Sequence, residues 1–166
     1  MIDDIDKKIL NILQLNARAA NVEIAREVGL APSAVLERIK KLENREIIRN
    51  YKAEIDAKAL GLGLTALIAV RTAECGSGVG ERLSELEEVL EVHEVAGEDC
   101  FFIKVRTRDT DSLGKLLREK IKAIPNVLNT RTTVVLKTYK ETFSLDILNG
   151  HLRKPSKQKA AKKGKS

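Results

Sequence analysis

Along the first sixty residues, apolar positions recur at helical spacing. Ile5, Ile9, Ile12 and Leu13 share one face, and Asp3, Asp4 and Asp6 open the stretch where the helix dipole favours negative charge. Asn16 closes it. Asn21 is placed to N-cap a second short helix carrying Val22, Ile24, Ala25 and Val28, which Gly29 then stops. Pro32 suits the first turn of a third helix, predicted to run to about Asn44. Ile47-Ile48 and Tyr51 to Ile55 read as short extended segments.

From Leu62 the period changes. Leu64 to Val70 is a nearly continuous apolar run of strand length, and Val79, Leu83, Leu86 and Leu90 make a helical stripe. Val92 to Ala96 is predicted as a second strand, with a turn at Gly97-Glu98-Asp99. Phe101, Ile103 and Val105 then alternate with Phe102, Lys104 and Arg106 as a third strand. Leu113, Leu116, Leu117, Ile121 and Ile124 form another helical stripe before Pro125-Asn126. Val127 to Tyr139 reads as a long fourth strand. The predicted order is βαββαβ, the split arrangement of ferredoxin-like folds, behind an N-terminal helical domain: an α+β chain. Helices on one sheet face leave the other needing a cover, and a second copy of the chain is the expected one.

Composition refines this picture mainly through charge. The 166 residues are 43% hydrophobic and 33% charged, enough apolar content for a core. The net charge is +6, but it is unevenly spread. Residues 1–60 carry 11 Lys+Arg against 10 Asp+Glu, residues 61–143 carry 12 against 13, and residues 144–166 carry 7 against 1. The basic excess belongs to the stretch from Arg153 to Lys165, which is expected to be disordered. It reads equally as a solvated extension or as a phosphate-coating arm. A nucleic-acid argument about the folded body must therefore rest on local patterning.

That patterning exists near the start. Ala25-x3-Gly29-x5-Val35 supplies a small residue where two steeply crossing helices touch, a turn residue tolerant of positive φ, and an apolar contact from the second helix. This is helix-turn-helix spacing. On the third helix Val35, Leu36, Ile39 and Leu42 cluster on one side, with Ser33, Glu37, Lys41 and Asn44 opposite and Ala34 beside them. A helix in the major groove wants short or hydrogen-bonding groups at its tip and cations on its flanks. Ser33, Ala34, Glu37 and Lys41 are placed to meet base edges, and Arg38, Lys40 and Arg45 to meet phosphates. Any surface helix is also polar outside and apolar inside, so it is the Ala-Gly-Val spacing that favours the groove reading.

With these residues in view, the sequence resembles the Lrp/AsnC, or feast/famine, family of prokaryotic transcription regulators. The carrying segments are Asp4-Ile5-Asp6-Lys7-Lys8-Ile9-Leu10, Val28-Gly29-Leu30-Ala31-Pro32-Ser33 and Glu37-Arg38-Ile39-Lys40-Lys41-Leu42-Glu43. Ile47-Ile48-Arg49-Asn50-Tyr51, Val95-Ala96-Gly97-Glu98 and Thr130-Arg131-Thr132-Thr133-Val134-Val135 add to them, in the family's order, from about Asp3 to Tyr139.

The resemblance implies a winged-helix-like helix-turn-helix domain (1–46), a linker strand and hinge (47–61), a ferredoxin-like regulatory and oligomerisation domain (62–143) and a basic tail (144–166). It implies double-stranded DNA as partner, a homodimer formed through the sheet, higher assembly such as an octamer, and an amino-acid effector. The implied effector region is the turn Gly97, Glu98, Asp99 and Cys100, with Thr132, Thr133 and Val134 from the fourth strand of a neighbouring subunit. Glu98 and Asp99 suit an ammonium and the threonine hydroxyls a carboxylate. Many family members read glycine, any residue, aromatic, aspartate, aromatic at this turn. Here the sequence is Gly97-Glu98-Asp99-Cys100-Phe101, with the carboxylate moved by one position toward the other strand face. An effector is then bound differently or not at all.

Other chemistry is sparse. His93 and His151, the two histidines, have no ligands at metal spacing, and Cys75 and Cys100, far apart, read as ordinary thiols. No nucleophile–base pair, phosphate loop or cofactor motif is present in the sequence, so neither an enzyme nor a cofactor is expected. No apolar run reaches the roughly 20 residues of a membrane span, and the acidic start is unlike a signal peptide, so a cytoplasmic protein without a membrane partner is expected. The competing readings are a free-standing amino-acid-binding module and an RNA-binding ferredoxin-like module. The latter has Phe101 and Phe102 as its only central-strand aromatics.

Overall fold

In the computed structural model, which describes residues 2–75 and 78–148, the chain begins with a capping box. Asp3 accepts the Asp6 N–H at 2.8 Å, and Asp6 accepts the Asp3 N–H at 3.2 Å. These bonds satisfy two of the N–H groups that α1 (Asp4–Leu15) leaves open at its start, an arrangement typically worth about 1 kcal/mol. Helix α2 (Asn21–Val28) starts one residue earlier than expected: Ala20, not Asn21, is its N-cap. The Ala20 carbonyl accepts the Glu23 and Ile24 N–H groups, and the Glu23 carboxylate reaches back to the Ala20 N–H at 3.1 Å, the return half of a capping box made without a capping side chain at Ala20. Gly29 ends α2 at φ 72°, in the left-handed region, and α3 (Pro32–Asn44) follows with Pro32 in its first turn.

The three helices enclose Ile9, Ile24, Ala25, Val35 and Ile39, with Ile5, Ile12 and Val28 packed around them. Leu36 departs from expectation, being 41% exposed. One residue past Val35 on a helix is a rotation of about 100°, enough to carry it out of the buried stripe. Beyond α3, residues 45–63 carry no strand among the described residues. The extended segments expected at Ile47-Ile48 and Tyr51 to Ile55 form no ladder, and the winged-helix likeness stops at the three helices. The chain is instead pinned by the Ile47 and Ile48 N–H groups, both donating to the Leu42 carbonyl.

The elements of the second body are β1 (Leu64–Thr72), α4 (Val79–Ser84), β2 (Val89–Glu94), β3 (Phe101–Thr107), α5 (Thr110–Lys115) continued by a π-helical stretch (Leu116–Ile121), and β4 (Val127–Val134). This is the expected βαββαβ order. The strands form a four-stranded antiparallel sheet in the order β2-β3-β1-β4. Ala66, Ile68 and Val70 of β1, with Phe101, Ile103 and Val105 of β3, form the buried face against Val79, Leu83, Leu113, Leu116 and Ile121.

Two sequence expectations fail here for traceable reasons. Leu90 does not continue the stripe of α4, because β2 begins at Val89. Val89 pairs with Val105 and Glu91 with Lys104, so Leu90 is the extra residue of a β-bulge and points outward. Strand β4 stops at Val134 rather than Tyr139, since β1 starts at Leu64 and has no further backbone to pair after Val135 bonds Thr65. Residues directly opposite in the ladders share a face. The outer face therefore carries Leu67 with Lys104 and Thr133, then Ala69 with Phe102, His93 and Arg131.

The described residues up to Ala53, together with those from Thr142 onward, form one compact unit, and Glu54–Glu141 the other. Residues near Thr142 thus join the helical unit, where Gln14 makes two hydrogen bonds to the Leu145 backbone, at 2.7 and 3.1 Å. The expected disorder of the lysine-rich tail, and His151, lie outside the described residues.

Candidate nucleic-acid interface and effector site

Helix α3 keeps its inner side against α1 and α2 through Val35, Ile39 and Leu42. Ser33, Glu37, Lys40, Lys41, Asn44 and Arg45 are exposed, and Ala34 is half-buried. Arg38 occupies a different position from its phosphate assignment. Its guanidinium donates through Nη1 to Asp3 at 2.7 Å and to Asp6 at 2.7 Å. The capping box of α1 is thereby clamped to α3. The hydrogen bond from the Asp6 backbone N–H, then Arg38, hold the Asp3 carboxyl below the usual carboxylate range, while the two aspartates push Arg38 further up. Ala34, Glu37, Lys41 and Arg45 border the same depression as this acidic pair. Tyr51 donates to Glu43 at 2.9 Å at the far end of α3. Its phenol is pushed up to about 12, by partial burial first and by Glu43 second.

In the sheet unit, residues 96–100 form an irregular bend held at both ends. The Val95 N–H donates to the Cys100 carbonyl at 2.9 Å, and the Cys100 N–H to Val70 at 3.1 Å. A depression of about 250 Å³ lies beside the bend, lined by Glu98, Asp99, Arg71, Asn129, Thr130 and Arg131. Asp99 Oδ2 accepts from Arg131 Nη2 at 2.7 Å. Two acids and two guanidiniums therefore face one small space, an arrangement suited to a zwitterion.

The chain matches two family models, the AsnC-type helix-turn-helix domain over residues 2–43 and the Lrp/AsnC ligand binding domain over residues 65–145. It is 41% identical over 147 residues to the HTH-type transcriptional regulator FL11 of Pyrococcus horikoshii, covering 88% of this chain and 97% of that protein. The chain belongs to the Lrp/AsnC family of transcription regulators. Among solved structures, a transcriptional regulator of Neisseria meningitidis in complex with L-Met superposes with a TM-score of 0.83 at 30% identity, over 90% of this chain and 99% of that one. The feast or famine regulatory protein of Mycobacterium tuberculosis complexed with L-methionine gives a TM-score of 0.82 at 33% identity, over 87% and 99%.

Within this Lrp/AsnC chain the effector residues expected from sequence divide. Gly97, Glu98, Asp99 and Cys100 lie together on the bend, but Thr132, Thr133 and Val134 of the same chain do not join them. Thr130 is level with Val70 and Phe101 at the bend, whereas Val134 is level with Ala66, four residues or roughly 13 Å further along β4. Thr132 and Thr133 also face opposite sides of the sheet. The strand residues at the bend are Asn129, Thr130 and Arg131, and Arg71 joins them from β1. Strand register alone reveals them, and register is not written in one strand's sequence.

The cysteines are a second correction. Cys75 and Cys100 are not ordinary thiols but form a disulfide, with Cα atoms 5.6 Å apart across 25 residues of sequence. The antiparallel pairing of β1 with β3 brings the end of one beside the start of the other. No cluster of three or more metal-ligating side chains occurs among the described residues, and His93 lies on the exposed outer face at 3.5 Å from Glu91.

Proposed function

We propose that this Lrp/AsnC regulator reads duplex DNA with the outward side of α3 and responds to an amino acid at the 97–100 bend. The observation that carries the reading is the free polar side of α3, whose opposite side is packed and whose flank is fixed by Arg38. Ser33, Ala34, Glu37 and Lys41 meet base edges; Lys40 and Arg45 meet phosphates. Arg38 serves as the brace between α1 and α3 instead of as a phosphate contact.

Single-helix readout is weak, so the chain acts as a homodimer that presents two α3 helices to half-sites roughly 34 Å apart. The outer sheet face, with Leu67 and Phe102 each 45% exposed, supports dimerisation there, and further assembly, such as an octamer, adds DNA contacts. Residues 1–46 serve DNA binding, 47–61 act as the hinge and 62–143 as the regulatory and oligomerisation domain, with 144–166 as a basic extension. The protein acts in the cytoplasm and by binding, not catalysis; no helix among its described residues is long and apolar enough to cross a membrane.

Glu98 and Asp99 receive the effector ammonium, and Arg71, with Arg131, its carboxylate. Thr132, Thr133 and Val134 contribute from a neighbouring copy.

The test is binding of a random-sequence duplex pool at low salt by the full chain and three variants. Lys40→Ala weakens all sequences alike, while Ser33→Ala and Lys41→Ala change which sequences are retained. Equal losses from all three contradict the assignment of base-reading and phosphate-contacting residues.

A further inference from the structure

The depression at the 97–100 bend has a cationic wall and an acidic wall, and one covalent bond joins them. Arg71 lies on the outgoing end of β1, four residues before Cys75. Asp99, paired to Arg131, immediately precedes Cys100. The Cys75–Cys100 disulfide therefore ties the strand that carries one guanidinium to the bend that carries both carboxylates. Cys100 is buried and its backbone is held on both sides by Val70 and Val95. Cys75 is exposed, in a short turn braced by Thr72 Oγ1 donating to the Glu74 carbonyl at 3.0 Å. The two partners differ in kind: one is fixed in the sheet, the other sits where an external thiolate reaches.

We infer that Cys75 and Cys100 form a reversible two-electron redox site that gates the effector depression, taking small or protein dithiols as its reductant. The inference rests on the proposed reading of that depression as the effector site. In thiol-rich compartments of mesophiles, protein disulfides are usually transient and redox-sensing, and the exposed Cys75 is open to attack by such thiols. In the reductive step a dithiol's thiolate attacks Cys75 Sγ. The Cys75–Cys100 bond breaks, and Cys100 leaves as a thiolate and takes up a proton. The reductant's second thiol then attacks the mixed disulfide, releasing Cys75 as a thiol and the reductant as its own disulfide. The regulator gains two electrons and two protons, and the dithiol loses both. With the bond open, the ladder still holds Arg71 opposite Asn129 and Cys100 against Val70, while the Cys100 side chain loses its covalent tether, so that the bend carrying Glu98 and Asp99 is held beside Arg71 by backbone hydrogen bonds alone. Effector affinity then depends on the thiol state.

The experiment uses the full chain, equilibrated across a ladder of oxidised and reduced dithiothreitol. Alkylation and mass spectrometry count free thiols, and hydrogen exchange follows the amides of residues 95–101. The twenty free amino acids are titrated against each form. The expected results are a single transition from zero to two free thiols per chain, exchange about tenfold faster at the bend after reduction, and an amino-acid affinity that differs at least about fivefold between forms. A Cys75→Ser/Cys100→Ser double variant should behave as the reduced form in either buffer; if it does not fold, the reduced natural chain carries the comparison. A bond that survives excess dithiothreitol in the folded protein is a permanent staple and overturns the inference, as does equal affinity in both forms. If no amino acid binds either form, the effector reading fails. The thiol count and bend exchange then still decide the redox site, which is overturned if reduction leaves exchange unchanged.

Discussion

The proposed reading helix and the proposed effector bend place their side chains in opposite ways. On α3 they stand along one regular helix, so a single period fixes which residues share a side, and α1 and α2 together fix the helix. At the bend they come from the ends of β1 and β4 and from the loop before β3. No one segment contains the site, and each wall is positioned by ladder register and by the Cys75–Cys100 bond. A site on one element tolerates substitutions elsewhere, whereas a site assembled from several is exposed to any change that shifts their register. The two units also have separate buried clusters.

The largest expected effects test that separation. Ile24→Ala removes a fully buried side chain from the helical cluster, and Ile103→Ala one from the sheet cluster. Each costs about 2–5 kcal/mol of its own unit's stability. Ile24→Ala should abolish duplex binding while sparing the amino-acid response, whereas Ile103→Ala should lose the amino-acid response and, with the sheet that supports the dimer, weaken duplex binding as well. Calorimetry with both ligands checks this, and loss of the amino-acid response in Ile24→Ala breaks the comparison. Reducing the disulfide comes next. By the loop-entropy relation, a closed loop of this length stabilises by about 3.5 kcal/mol. Thermal unfolding under reducing conditions should therefore lower the transition of the sheet unit only.

Smaller effects sharpen the helical side. At Gly29 an added Cβ meets no neighbour within 4 Å, so Gly29→Ala costs only its left-handed backbone, about 1–2 kcal/mol in urea melts. Asp3 has a lowered pKa, so its contribution to stability is present above its unfolded value of 3.8 and is lost as pH falls through its lower folded value. Asp3→Asn should flatten the acid limb of the stability curve. Tyr51 is raised to about 12, so its contribution is complete below the ordinary value of 10.0 and is lost as pH rises through about 12. Ultraviolet titration should show Tyr51 ionising near 12, and Glu43→Gln should lower that value.

How much of this was legible in the sequence follows the same division. The three helices, the Gly29 turn, β1 and β3 follow from local pattern, because each helix and strand buries one face in the core of its own unit. The Ala20 cap is invisible to a rule that looks for a capping side chain at the cap itself, since Glu23 supplies the hydrogen bond from three residues on. The bulge at Leu90 and the early end of β4 depend on the partner strands, not on the strands themselves. Arg38 carries a charge that suits phosphate equally well; only the approach of Asp3 and Asp6, more than thirty positions earlier, reveals the clamp. Cys75 and Cys100 are distant in sequence and adjacent only because β1 and β3 pair.

The most direct test of α3 as the reading helix is cleavage from a tethered probe. An iron chelate attached at Ser33→Cys, on the full chain bound to a selected duplex, should cut both strands within the major groove, in two clusters about one helical turn apart. The same chelate at Glu23→Cys should cut weakly or outside those clusters. Cleavage confined to the Glu23 probe, or a single scattered pattern from Ser33, would contradict the account.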